Sequence, residues 1–273
     1  MNTIMTLDTL LQLFALPFMQ RALLAGLCIG MAAAFLGVFI TLRNLSFYSD
    51  TIAHSALAGI ALGLLLNISP TVAAIIFCIG IGIATVYIKN RSVISLDTVV
   101  GVIFSAGLSL GVILMSLLPT YRSELFSILF GDILTLSWLD VGLAGAITVG
   151  VVIFLLYTSR RLLLMTFSQD FTFVRGVNGV ALDYAFFIIT ALTIAVSIKI
   201  VGIILVTGLL ILPAAVAKNI AHSFKQLVWL AMIMSVVATI TGLTLSLLFD
   251  LPAGPTIILV SATGFGLSLF ARR

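Results

Sequence analysis

An acid and an imidazole stand four residues apart in Asp50-Thr51-Ile52-Ala53-His54, inside a stretch from Leu45 to Leu66 otherwise apolar enough to cross a bilayer. Residues at i and i+4 share one helix face, so in a lipid-spanning helix both groups point the same way, toward protein or a water-filled path. A carboxylate in hydrocarbon is costly unless it has a partner or water. Oxygen plus imidazole nitrogen is a ligand set suited to Zn(II), Mn(II) or Fe(II). With a helix starting near Ser46, His54 lies about 12 Å along it at roughly 1.5 Å per residue, close to mid-depth. Asp97 opens a later apolar segment from the same side and is a candidate third ligand. The residues alone leave three readings open: metal contact, a capping Asp50 with a packed His54, or a proton relay.

Other reactive side chains read as structural. Cys28 and Cys78 are isolated thiols in apolar runs, better taken as small buried hydrophobes than as a disulfide or metal knuckle. His222, between Lys218 and Lys225, reads as a helix-end residue. No phosphate-binding Gly-Lys-Ser/Thr loop and no His-Glu-x-x-His helix occurs, so any ATP would be handled by another chain. The expectation is a transport subunit, not an enzyme, with no permanently bound cofactor.

The elements that position these residues follow from composition. The 273 residues are 62% hydrophobic and 8% charged, against about a quarter charged in a soluble domain. The expected class is therefore an all-α polytopic membrane protein, a single transmembrane domain over residues 1–273. Thirteen scattered basic residues against nine acidic ones make no nucleic-acid surface; lipid and other membrane-associated subunits are the implied partners. The N-terminus lacks the pattern of a cleaved signal peptide.

Nine apolar runs can be drawn: Arg21–Arg43, Leu45–Leu66, Thr71–Ile88, Asp97–Leu118, Trp138–Tyr157, Tyr184–Ile198, Val201–Ala217, Leu227–Leu248 and Thr256–Phe270. Ser123–Thr135 is too short to span and reads as a short or re-entrant element. Eight spans would require one Gly-rich run to be re-entrant. Leu162–Asp183 is the longest polar-bearing interval and suggests docking to a soluble partner. Ser55, Ala56, Ala58 and Gly59 allow close helix contact, and Pro213-Ala214-Ala215 combines small residues with a possible break. Starting the first run outside places ten of the thirteen basic residues on one side, which is then the cytoplasm.

Four stretches carry a family resemblance: Leu42-Arg43-Asn44-Leu45-Ser46-Phe47-Tyr48-Ser49-Asp50-Thr51-Ile52-Ala53-His54-Ser55-Ala56-Leu57-Ala58-Gly59, Leu129-Phe130-Gly131-Asp132-Ile133-Leu134, Leu210-Ile211-Leu212-Pro213-Ala214-Ala215 and Asp250-Leu251-Pro252-Ala253-Gly254-Pro255. In this order the chain resembles the membrane permeases of ATP-binding-cassette importers for zinc and manganese. The resemblance implies a homodimeric permease of the bacterial cytoplasmic membrane, with two cytoplasmic ATPase subunits and an extracytoplasmic metal-binding protein. It also implies that the metal-contact acid and histidine are Asp50 and His54, with Asp97 matched less closely. A cytoplasmic coupling element falls within Ser168–Gly179, where Phe173 and Gly176 would meet the ATPase. The Asp-x-x-x-His-Ser-x-Leu-x-Gly form is closer to zinc members, since manganese members often carry proline where this chain has Ala58. Manganese or iron import in the same family is the alternative. A proton-driven secondary carrier and an importer of iron-siderophore or vitamin B12 compounds are the rivals outside it.

Overall fold

The structure, a computed structural model, describes residues 16–118, 129–131, 135–167 and 179–270. Every long element among them is a helix: α1 (Pro17–Leu42), α2 (Ser46–Leu65), α3 (Pro70–Arg91), α4 (Leu96–Ser116), α5 (Trp138–Phe167), α6 (Gly179–Val201), α7 (Ile203–Ile220), α8 (Phe224–Phe249) and α9 (Ala253–Phe270). Seven of these nine are long and apolar enough to cross a membrane. The other two are α2, whose apolar run is diluted by Ser49, Asp50, His54 and Ser55, and α7, apolar over a shorter length. Most of α2 is buried among its neighbours, so it does not depend on lipid contact.

Sequence-local chemistry sets the helix ends. Pro17 and Pro70 occupy first-turn positions in α1 and α3, where a missing N–H costs nothing. Asn44, Asn67 and Asp250 adopt left-handed backbone (φ 55°, 54° and 52°) and close α1, α2 and α8. Each is followed by a return hydrogen bond, Leu45 N–H to Ile40 O at 2.8 Å, Ile68 N–H to Gly63 O at 2.9 Å and Leu251 N–H to Ser246 O at 3.0 Å. Successive helices alternate in direction, as the charge pattern leads one to expect. Arg43, Lys89, Arg91 and Lys218 lie at one end of the bundle, the end that the positive-inside rule assigns to the cytoplasm; Lys199 lies at the opposite end and pairs with Asp140 across the α5 and α6 ends at 2.7 Å.

Two expected boundaries shift. α5 continues ten residues past Tyr157, through Arg160-Arg161 to Phe167, because polar residues past the bilayer do not end a helix that lacks a breaker. Lys199 does not separate two spans; α6 runs through it and stops at Gly202. Pro213 lies within α7 without ending it. The short element expected over Ser123–Thr135 falls largely outside the described residues.

α2 is wedged between α3 and α4, with α6 and α7 behind it. Glycines permit this. A Cβ at Gly107 of α4 would strike Ser55 Oγ, and one at Gly111 would come 3.0 Å from Leu57 Cβ. On the opposite side a Cβ at Gly59 would lie 2.8 Å from Ala74 Cα of α3. Thr51 Oγ1–H reaches both Phe47 O at 3.0 Å and Val100 O at 3.3 Å, pinning α2 to α4. An aromatic layer of Phe39, Phe186, Phe187 and Tyr48 fills the half of the core nearer Arg43 and Asp183.

Near the outer end three glycines converge. Gly131 (φ 77°) and Gly202 (φ 91°) occupy backbone that side-chain-bearing residues rarely adopt. A Cβ at Gly131 would sit 2.6 Å from Ile200 O, one at Gly202 would sit 2.5 Å from Gly131 N, and one at Gly254 would sit 2.8 Å from Val201 O. Backbone therefore packs directly on backbone where α6 gives way to α7.

Candidate functional site

Phe47, Asp50 and His54 fall at i, i+3 and i+7 of α2 and so on one face. On the other side of the helix Tyr48, Ile52, Ser55 and Ala56 are fully buried, whereas Asp50 and His54 are partly exposed in the single chain. The helix register, set by its buried side, thus turns the acid and imidazole toward an open surface.

An aromatic shoulder from α4 flanks that surface. The His54 imidazole stands edge-on to Phe104, with centroids 5.3 Å apart and planes at 84°. Phe104 also packs against Phe47 at 5.2 Å. Among the described residues neither Asp50 nor His54 has a hydrogen bond or an ion pair, and the ring partner of His54 is Phe104. Both keep lone pairs available to a cation.

Asp97 lies elsewhere. It is exposed in the first turn of α4, where a carboxylate favours the helix N-terminus. Gly101, one turn further on, faces Phe47, and Phe47 is itself nearly one turn before Asp50. Asp97 thus lies nearer the Ser46 end of α2 than Asp50 does, beyond the level at which Val100 meets Thr51. Among the described residues no three His, Cys, Asp or Glu side chains converge as a metal site. Phe173 and Gly176 lie outside the described residues.

A second acid behaves differently. Asp183, 4% exposed, accepts from Arg43 Nη2 and Lys89 Nζ, each at 2.6 Å. Sequence reading placed Asp183 only at the end of a polar interval. An acid four residues into an apolar helix, with basic residues ending two other spans, was the available signal. Among the described residues two cations reach Asp183 and none reaches Asp50.

A match to the ABC 3 transport family spans residues 15–272. The chain is 39% identical, over 92% of its length and 96% of the relative's, to the "High-affinity zinc uptake system membrane protein ZnuB" of Haemophilus influenzae. It is 35% identical, over 93% of its length and 91% of the relative's, to the "Manganese import system permease protein ScaB" of Streptococcus gordonii. The solved structure "PsaBC from Streptococcus pneumoniae in complex with Fab" superposes with a TM-score of 0.85 at 30% identity, covering 97% of this chain and 96% of that one.

Proposed function

The chain belongs to the ABC 3 transport family and is the multi-pass permease subunit of a metal ABC transport system; from that premise we propose that it carries zinc into the cytoplasm. The observation that supports this reading is Asp50, partly exposed and without an ion-pair partner among the described residues, beside His54 on one face of α2. A carboxylate facing lipid would be costly, so the face is covered by a second copy of the chain, and the two copies line the passage. Family membership argues against a self-sufficient proton-driven carrier.

Import proceeds by alternating access. Two ATPase subunits dock on the cytoplasmic side at Phe173 and Gly176, and an extracytoplasmic metal-binding protein delivers the ion. Asp50 oxygen and His54 nitrogen meet it, with water or the second copy completing the shell, and bind weakly enough to release it inward. Asp97 sits nearer the cytoplasmic exit and receives the ion later on the path. Ligands must be deprotonated, so acidification lowers uptake.

The test is zinc uptake by cells at equal membrane abundance of Asp50→Asn, His54→Ala and the unmodified chain. Both variants should lose uptake; unchanged uptake in both refutes the assigned role. Manganese is the second reading, supported by the 35% identity to a manganese import permease. Competition among zinc, manganese and ferrous iron in the same cells separates the two.

A further inference from the structure

α6 begins directly after residues 168–178, and two of its early residues grip the α1–α2 turn and the first turn of α2. Asp183 holds Arg43, the residue that caps α1 three positions before α2 begins. One turn on, the Phe187 carbonyl oxygen accepts the Tyr48 hydroxyl at 2.9 Å, in a fully buried bond two residues before Asp50. The rings of Tyr48 and Phe187 also pack at 4.5 Å. Gly82 of α3 makes room, since a Cβ there would lie 3.1 Å from the Tyr48 hydroxyl.

The turn between the two grips has little slack. Arg43 N–H bonds to Phe39 O at 2.9 Å, and the left-handed Asn44 is followed by the bond from Leu45 to Ile40. Arg43 lies over the Phe186 ring at 5.1 Å, so its guanidinium is fixed on two sides. Lys89 brings the cytoplasmic end of α3 onto the same carboxylate. α6 therefore holds the ends of α1 and α3, the helices before and after α2 in the chain, as well as α2 itself.

We infer that Asp183, Arg43, Lys89 and Tyr48 are positioning residues that make α2 move with α6, carrying displacement at the cytoplasmic end of α6 to Asp50 and His54. The inference rests on the proposed ATP-driven import and names the contacts through which hydrolysis reaches the metal-contact face. Buried ionic and hydrogen-bonded contacts hold one geometry and lose it abruptly when a partner is removed. Without them α6 can shift while α2 stays behind.

The experiment reconstitutes permease, ATPase and metal-binding protein in liposomes and measures zinc uptake and ATP hydrolysis together. Asp183→Asn and Tyr48→Phe should hydrolyse ATP near the wild-type rate yet move at least about fivefold less zinc per ATP, the lower end of ordinary coupling energies. Asp183→Glu, which keeps the charge, should recover much of the ratio. A wild-type zinc-to-ATP ratio in both weakening variants overturns the inference, as does a parallel fall in uptake and hydrolysis. If Asp183→Asn fails to assemble, the Tyr48→Phe ratio decides alone. A wild-type assembly that moves no zinc on ATP overturns the functional reading and this inference with it; variants that match a working wild type overturn only the coupling role.

Discussion

His54 meets Phe104 edge-on at 5.3 Å, so the orientation of the one intramembrane imidazole on α2 is set by a ring on α4. Such a contact contributes about 0.5–1.5 kcal/mol, which corresponds to roughly twofold to tenfold in an equilibrium. Phe104→Ala should raise the zinc concentration for half-maximal uptake by about that factor, with membrane abundance unchanged. Uptake curves measured across zinc concentrations check this, and coincident curves would remove Phe104 from the site.

The close approach of α4 to α2 depends on Gly107, where added volume runs into Ser55. Gly107→Leu should destabilise the protein by about 1–3 kcal/mol, as overpacking usually does, and lower its thermal midpoint in detergent. Gly142, with open space around it, is the control. Gly142→Leu should leave the midpoint where it is.

The two ion-pair sites should respond unequally. Lys199, 40% exposed and paired with Asp140, should contribute at most about 1 kcal/mol. Arg43→Met leaves the buried Asp183 with Lys89 alone and removes a charge-assisted hydrogen bond, which costs about 1.5–3 kcal/mol. Thermal denaturation of Lys199→Met and Arg43→Met side by side tests the contrast, and equal shifts would contradict it.

At the outer junction, Gly202→Ala combines a disfavoured backbone region with a Cβ 2.5 Å from Gly131 N. Backbone strain of this kind costs about 1–3 kcal/mol before the clash is counted. The expected result is a sharp loss of folded protein in the membrane, read by fluorescence-detected size exclusion. Normal yield and a normal elution profile would mean that the junction can spread.

Much of this architecture is visible in the chain itself. The nine helices and their alternating direction follow from apolar runs and basic residues, and the four-residue spacing puts Asp50 and His54 on one face. The small residues Ser55 and Gly59 signal the tight contacts they make with α4 and α3. Position across the bundle is harder to read. Nothing in the spacing of Asp97 tells how far along the bundle it stands from Asp50. Asp183 belongs to a site made by residues 94 and 140 positions away, and only packing brings them together. The end of α5 was obscured because Arg160 and Arg161 mark where the bilayer stops rather than where the helix does.

A single residue, Gly202, joins α6 to α7. α6 climbs from Asp183 beside Arg43 to Val201 beside Ala22, and α7 then descends to Ala217 beside Val38. With Gly131 and Gly254 pressed against this bend, backbone meets backbone there, and α6 extends about 35 Å away from it. A tilt of only about 5° there displaces the far end by roughly 3 Å over that length. A small rotation at Gly202 is thus magnified at the other end of α6, where Asp183 holds Arg43 and Lys89.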